Sequence, residues 1–299
     1  MTVVVISFIV CLLFFLGVGI ASARRRKNTS EDYLLASRSI SPRVMAISAV
    51  ATNNSGFMFV GLIGATYVEG VSALAMMLGW VLGDYAAWVV GIPKMLRMRS
   101  EEAGSATIPA FLGHGLEGGQ KVVKIAGLII LAFLGTYAAA QLTAGSKALH
   151  AIFGWDLVVG AVLGALIVVV YCFSSGIRAS IWTDVAQSVV MLVAMNLLLL
   201  VGISDAGGPA ALWASLAAID PQLVNIVPKN VPFGFAMFCL GWLAAGFGVV
   251  GQPHIMVRAM AIDSAENMAS ARRVYVVWNV LFSISAVGVG LTARLLLPE

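Results

Sequence analysis

The chain has 299 residues, of which 60% are apolar and only 11% are charged, with a formal net charge of +4. An ordinary soluble domain carries about 25% charged residues, and no soluble core of this length could bury so much apolar surface. The composition therefore predicts a membrane protein. It excludes a secreted disulfide scaffold, a nucleic-acid binder and a disordered chain. Three cysteines without pairing or metal spacing, and only three histidines, argue against a metal centre and against an enzyme.

Eight apolar stretches are long enough to cross about 30 Å of hydrocarbon, which takes about 20 helical residues. Because a backbone in lipid must satisfy its own hydrogen bonds, all eight are predicted to be helices. The fifth is short alone but can extend to Ile177. The predicted spans are residues 3–23, 44–68, 71–93, 125–146, 157–171, 180–203, 232–257 and 274–291.

Basic residues are distributed unevenly between the loops. The run Arg24, Arg25, Arg26 and Lys27 follows the first span and is expected to hold its C-terminal end in the cytoplasm. From this start, 15 of the 18 Lys and Arg residues fall in inside segments, and the other three are Lys147, Lys229 and Arg294. We therefore predict a multi-pass protein of the plasma membrane with both termini outside.

Two loops are predicted to carry short helices lying at the lipid headgroups. The inside stretch 107–121 begins with Pro109, a residue favoured in the first helical turn. The outside stretch 209–219 places Trp213 among alanines and leucines.

The second and seventh spans contain residues that interrupt helices. The second holds five weak helix formers in succession, residues 52–56, with two adjacent asparagines. The seventh contains Gly246, Gly248, Gly251 and Pro253. Broken helices at membrane depth line cavities, and a matching pair in the two halves of a chain indicates a transporter binding site. The alternative is that these polar residues only join neighbouring helices.

Two carboxylates lie within the spans. Asp84 is deep in the third span, where such a group suggests function, although it could be a structural hydrogen-bonding residue. Asp184 opens the sixth span and could simply cap that helix. His254 and Arg258 lie near the inner end of the seventh span. Their simplest interpretations are a hydrogen-bonded structural histidine and an arginine that reaches to the membrane surface.

Several stretches carry a resemblance to a known family. They are residues 32–35, 37–39, 48–56, 61–64, 176–187 and 251–255, together with Arg258. The most specific are Gly-Ile-Arg-Ala-Ser-Ile-Trp-Thr-Asp at 176–184 and Gly-Gln-Pro-His at 251–254. The chain resembles the sodium:solute symporter family over nearly its whole length, and within it the bacterial sodium/proline symporters.

The resemblance implies an all-α membrane protein with a partial LeuT-type fold of inverted five-helix repeats. Residues 1–43 would be an extra helix with a cytoplasmic loop, and residues 44–203 the first repeat. Residues 204–231 would be an extracellular loop, and 232–299 the first two helices of the second repeat. The rest of that repeat, including the helix that closes the family's sodium site, would be missing, so we expect the chain not to transport alone.

The resemblance also implies site residues. The expected sodium ligands are Ala51, Asn54, Ser55 and Asp184, with Asp184 on the inner exit route. The expected substrate contacts are Ser55, Gly56, Phe57, Tyr137 and Phe247. Asn53 stands where the family has an acidic residue, so Asp84 and Asn53 are candidates for a shared ion-coupling role.

The function that follows is symport of a small organic solute, such as proline, another amino acid or a carboxylate, coupled to a cation, with sodium the expected ion. The solute, sodium and the bilayer are the expected partners, and no other cofactor, metal or nucleic acid is expected. The rival hypothesis is a truncated, transport-inactive membrane module with a sensing or assembly role.

Overall fold

The computed structural model describes residues 2–297, without the side chains of Thr2, Tyr171 and Ser174. Pro298 and Glu299, the end of the fourth predicted domain, lie outside the described residues. Within this range the chain is helical, and its only extended pairing is an isolated bridge between Ile40 and Ile262. The helices are α1 (Thr2–Ser22), α2 (Ser30–Leu35), α3 (Pro42–Gly56), α4 (Ile63–Glu69), α5 (Ser72–Val90), α6 (Ile92–Glu102), α7 (Ile108–Gly113), α8 (Gly119–Phe153), α9 (Leu157–Ser175), α10 (Ile177–Asp205), α11 (Pro209–Ile219), α12 (Gly234–Phe247), α13 (Pro253–Met260) and α14 (Met268–Leu296).

Seven helical segments in the described chain are long and apolar enough to cross a membrane. They are Val3–Arg25, Pro42–Glu69, Ser72–Val90, Gly119–Phe153, Ile177–Asp205, Gly234–Gly251 and Met268–Leu296. These agree with seven of the eight predicted spans. The remaining one is α9, whose apolar part, Leu157–Val170, is shorter than the other seven.

Both interrupted spans are broken where the sequence predicts. The backbone of α3 leaves the helix at Ser55, with φ 45° and ψ −171°, and a π-helical turn, Phe57–Leu62, follows before α4. In the seventh span α12 ends at Phe247, a 3₁₀ turn covers Gly248–Gly251, and α13 begins at Pro253. Gln252 between them is extended, with φ −89° and ψ 112°.

Both loops contain the short helices that the sequence predicts, whereas their position at the lipid headgroups stays a prediction. Helix α11 has the predicted bounds. In the inside loop the short helix is α7, with Pro109 in its first turn, and the Thr107 hydroxyl oxygen accepts a hydrogen bond from the Ala110 N–H at 3.2 Å. Helix α7 ends at Gly113 because the backbone becomes extended at His114, with φ −66° and ψ 132°. Lys121 belongs to α8.

The described chain divides into two compact units. The first comprises Met1–Thr52, Pro93–Gln187 and Pro253–Ala271, and the second Asn53–Ile92, Ser188–Gln252 and Arg272–Glu299.

In the first unit, α1 and α9 pack together, with the hydroxyl oxygens of Ser22 and Ser175 2.6 Å apart. The loop after α2 holds three successive non-glycine residues with positive φ: Ala36, Ser37 and Arg38. The Arg38 guanidinium secures this loop by donating to the carbonyl oxygens of Met260, Ser100 and Ser105 at 3.0–3.2 Å.

The second unit is built around close contact between α5 and α12. A Cβ on Gly83 would lie 1.9 Å from the Leu243 carbonyl oxygen, and one on Gly246 would lie 2.0 Å from that of Trp80. Glycines at the crossing therefore let the two backbones touch, as in other membrane helix pairs. A core of buried apolar side chains completes the unit: Met58, Leu62, Ala73, Met76, Met77, Met195, Phe282, Ala286 and Val287.

Candidate functional site

In the second unit Asp84 is the centre of a buried polar cluster. Its side chain is 1% exposed, and its Oδ2 atom accepts three hydrogen bonds. Tyr275 Oη donates at 2.7 Å, and the amide nitrogens of Asn53 and Asn279 each donate at 3.2 Å. Asn53 also donates to Tyr275 Oη at 2.7 Å. The structure thus brings together Asn53 and Asp84, the pair that the sequence assigned to one ion-coupling role.

The sequence did not identify Tyr275 and Asn279 as members of this cluster. They lie four residues apart, hence on one face of α14, inside a predominantly apolar span. A polar pair at this spacing within a membrane helix is the signal that could have pointed to them. Their contact with Asp84 joins residues 191 and 195 positions apart in sequence, which no local pattern specifies.

In the first unit Asp184 forms a second polar cluster. Its Oδ2 accepts from Arg258 Nη2 at 2.8 Å and from Ser48 Oγ at 2.6 Å. Arg258 also donates from Nε to Ser48 Oγ at 2.8 Å and from Nη2 to Ser180 Oγ at 3.0 Å. The carboxylate and the guanidinium therefore form a hydrogen-bonded ion pair with 19% and 8% of their side chains exposed.

Three alternatives from the sequence are wrong at this cluster. Asp184 is not a helix cap, because α10 begins at Ile177, two turns earlier. Arg258 does not reach to the membrane surface, because its guanidinium is buried against Asp184. His254 is not hydrogen-bonded through its ring, since neither ring nitrogen has a partner among the described residues. Its ring packs on Tyr137, with centroids 5.0 Å apart.

The predicted sodium ligands are distributed over both units. Ala51 and Asp184 belong to the first, and Asn54 and Ser55 to the second. Asn54 is 4% exposed, and its side-chain nitrogen has no hydrogen-bond partner within the described chain. Ser55 is the residue at which α3 is broken, and its Oγ accepts from the Phe57 N–H at 3.2 Å. That these four residues together coordinate one sodium ion stays a prediction.

The predicted substrate residues are also divided. Gly56 and Phe57 follow the break, and the Phe57 ring lies over Gly61, where a Cβ would come within 2.5 Å of it. Phe247 is the last residue of α12. Tyr137 lies in the middle of α8 in the other unit. Phe57 and Phe247 are both exposed, and their contact with a solute stays a prediction.

A second buried charge pair holds the loop that follows α2. Arg178 Nη2 donates to Asp32 Oδ1 at 2.6 Å, and Ser37 Oγ and the Lys27 N–H donate to the same carboxylate at 2.8 Å. Burial alone would raise the pKa of Asp32, but the hydrogen bonds from Lys27, Ser37 and Arg178 outweigh it and lower that pKa below its usual 3.8. In the described residues, no group of three or more His, Cys, Asp or Glu side chains could hold a metal ion.

These features define an all-helical membrane protein whose second and seventh spans are broken around polar groups, an arrangement typical of secondary transporters. Residues 33–297 match the profile of the Sodium:solute symporter family, and the chain belongs to that family.

Two relatives are bacterial proline carriers. The chain is 34% identical over 271 residues to the high-affinity proline transporter PutP of Bacillus subtilis, covering 90% of this chain and 56% of the relative. It is 35% identical over 298 residues to the sodium/proline symporter of Staphylococcus aureus strain JH9, covering 98% and 56%. The chain thus spans about half the length of these curated relatives.

A solved structure has the same fold. The chain superimposes on a Na⁺-coupled sialic acid symporter, determined in a substrate-bound outward-open state, with a TM-score of 0.80 and 19% identity. The match covers 95% of this chain and 58% of that one. The LeuT-type helical fold expected from the sequence is therefore confirmed.

Proposed function

We propose that the protein acts in cation-coupled symport of a small organic solute across the plasma membrane, with sodium as the coupling ion. Proline is the first solute to test, because two relatives are proline carriers. The observation that carries the proposal is the break of the second membrane span at Ser55, where the backbone leaves the helix with φ 45° and ψ −171°.

The break supports ion binding for a physical reason. A helix uses its carbonyl oxygens internally, whereas an unwound segment presents them to a ligand. Hard cations prefer oxygen ligands, so carbonyls at Ala51 and Asn54 would supply part of the sodium shell. A positive φ at a non-glycine residue costs about 1–3 kcal/mol and persists where the surroundings enforce it, which is consistent with a binding role for Ser55.

Asp184 would serve the inner exit route of the ion. In this structure its carboxylate is occupied by Arg258 and Ser48. A cation can use this carboxylate only after the ion pair separates, so we propose that Arg258 opens and closes the route. The solute would contact Ser55, Gly56, Phe57, Tyr137 and Phe247.

The topology and domain organisation are part of the proposal. We place the N-terminus outside, residues 44–203 as the first repeat, and residues 232–299 as the beginning of the second. The uneven distribution of basic residues supports this orientation.

The test measures how uptake of radiolabelled proline depends on sodium concentration in a reconstituted chain completed with the second-repeat helices. Ser55→Ala removes a side-chain oxygen that is predicted to lie in the sodium shell, so it should raise the sodium concentration for half-maximal uptake about tenfold, the equivalent of ~1.4 kcal/mol. Ser285→Ala is the matched control, since that hydroxyl donates to the Leu281 carbonyl of its own helix at 2.8 Å. Equal sodium dependence in both variants would contradict the assignment of Ser55.

A further inference from the structure

Three buried polar atoms at the Asp84 cluster have no partner among the described residues: Oδ1 of Asp84, Oδ1 of Asn279 and the indole nitrogen of Trp88, whose ring packs on Tyr275. Asp84 and Asn279 are 1% and 2% exposed. Buried polar atoms are nearly always hydrogen-bonded, and a buried atom left without a partner is costly. The two oxygens are acceptors and cannot satisfy each other. Two such atoms on side chains that touch each other therefore need an explanation.

The contact that these side chains do make indicates what is missing. Asn279 Nδ2 donates to Asp84 Oδ2 at 3.2 Å. A carboxylic acid and a primary amide can form two complementary hydrogen bonds, one from the amide N–H to the acid carbonyl and one from the acid O–H to the amide carbonyl. The first is present here. An ionised carboxylate cannot form the second, because it only accepts.

We infer that Asp84 is a proton-binding site, in which a proton on Oδ1 completes the pair with the Asn279 side chain. One proton would satisfy both unpartnered oxygens, since the acid O–H donates to the amide oxygen. Asp84 Oδ2 already has its three donors, Tyr275, Asn53 and Asn279, so Oδ1 is the atom left to carry the proton.

The charges around Asp84 support a neutral acid. No ion pair joins Asp84 to a basic side chain in the part of the chain that the structure describes, and its three donors are neutral. A buried carboxylate without a cationic partner is costly and is normally neutralised by a proton.

The elements packed around Asp84 carry few titratable groups. Tyr275 is its hydrogen-bond partner, and Cys239 lies on α12, the helix that packs against Gly83. Tyr85 follows Asp84 on α5. On α14, Arg272 and Arg273 lie near the N-terminal end. Arg294 lies near the C-terminal end, where its guanidinium stacks over the Tyr67 ring.

The same geometry disfavours a metal cation at this position. Hard cations need several oxygen lone pairs, about 6 for calcium. Here the amide groups of Asn53 and Asn279 direct N–H hydrogens at the carboxylate, and Tyr275 directs its O–H hydrogen. The Tyr275 ring is fully buried with its centroid 4.7 Å from that of Trp88. The site is therefore lined by donors and closely packed.

The consequence for transport rests on the proposed function, whereas the proton site itself does not. An acid and a carboxylate at Asp84 place different charges beside Asn53. Proton loss from Asp84 should therefore change solute uptake, and replacing Asp84 should remove that part of the pH dependence.

The experiment is infrared spectroscopy of the purified protein in lipid at neutral pH. We expect a protonated-carboxyl C=O band that shifts in D₂O, is lost in Asp84→Asn and is retained in Asp184→Asn, because Asp184 lies in a hydrogen-bonded pair with Arg258 and is not the acid proposed here. Absence of the band in the wild-type protein, or its persistence in Asp84→Asn, would overturn the inference.

A second variant decides the matter if Asp84→Asn does not fold. In Asn279→Ala the acid loses the N–H donor to its carbonyl, so the band should move to higher frequency. A band that does not move would show that the acid is elsewhere. Neither spectrum requires transport, so a chain completed with the second-repeat helices that is inactive but shows both effects would contradict the proposed function and leave the proton site standing.

Discussion

Replacement of Asp32 by Ala should destabilise the protein strongly. The carboxylate is 0% exposed and the Arg178 side chain 7%, and they are joined at 2.6 Å. Asp32→Ala would leave the guanidinium buried with only the Ala36 carbonyl, at 2.9 Å, and the Ser39 hydroxyl, at 3.5 Å, as acceptors. Removing one partner of a buried ion pair costs about 3–5 kcal/mol.

The assay is thermal unfolding of the purified protein at fixed detergent and protein concentration. At about 2–4 °C per kcal/mol for domains of 150–250 residues, the midpoint should fall by roughly 6–20 °C. Glu31→Ala is the matched control, because that carboxylate is 60% exposed and 3.6 Å from Arg38. An exposed pair of this kind contributes about 0–1 kcal/mol.

A double variant tells whether the lost stability comes from the unpaired Arg178 guanidinium or from lost packing. Arg178→Leu in the Asp32→Ala background removes the unpaired guanidinium and should recover much of the lost stability. Equal midpoints for Asp32→Ala and Glu31→Ala, or no recovery in the double variant, would refute the reasoning.

Three further predictions concern acid stability, helix contact and topology. The pKa of Asp32 in the folded protein lies below 3.8, so the stability that its carboxylate contributes is complete above the unfolded-state pKa and is lost as pH falls through the folded-state pKa. Asp32→Asn should therefore lose less of its thermal midpoint on acidification than the wild-type protein does. Gly246→Ala should cost about 1–3 kcal/mol through overpacking against Trp80, whereas Gly241→Ala on the same helix, with nothing within 4 Å of its Cβ, should not; equal midpoints would contradict the close contact of α5 and α12. In a background without Cys11, Cys172 and Cys239, an impermeant thiol reagent applied to whole cells should label Lys147→Cys and not Arg99→Cys; the reverse result would invert the topology.

The membrane spans could be predicted because the bilayer restricts which backbone structures can cross it. Long apolar runs can only be helices in lipid, so seven spans were evident. The break at Ser55 was also predictable, because residues 52–56 are weak helix formers. The short helix α7 was predictable in the same way, because Pro109 favours a first turn and glycines follow Leu112. The positive φ of Ala36, Ser37 and Arg38 was not, since non-glycine residues adopt it only where distant contacts enforce it.

The candidate site was harder to predict. The polarity of Asp84 and Asp184 within apolar spans marked them as functional candidates. Their partners are distant in sequence: Arg258 is 74 residues from Asp184, and Tyr275 is 191 residues from Asp84. Such pairing depends on tertiary packing, which explains why Arg258 was assigned to the membrane surface and Tyr275 was overlooked.

The most direct test of cation-coupled symport is solute accumulation against a gradient. Proteoliposomes containing the chain completed with the second-repeat helices would be given an inward sodium gradient and radiolabelled proline, with a panel of other amino acids and carboxylates in parallel. We predict that at least one solute accumulates above its external concentration, and that replacing sodium with potassium or collapsing the gradient with an ionophore abolishes the accumulation. Uptake that is the same with and without the sodium gradient would contradict the proposal.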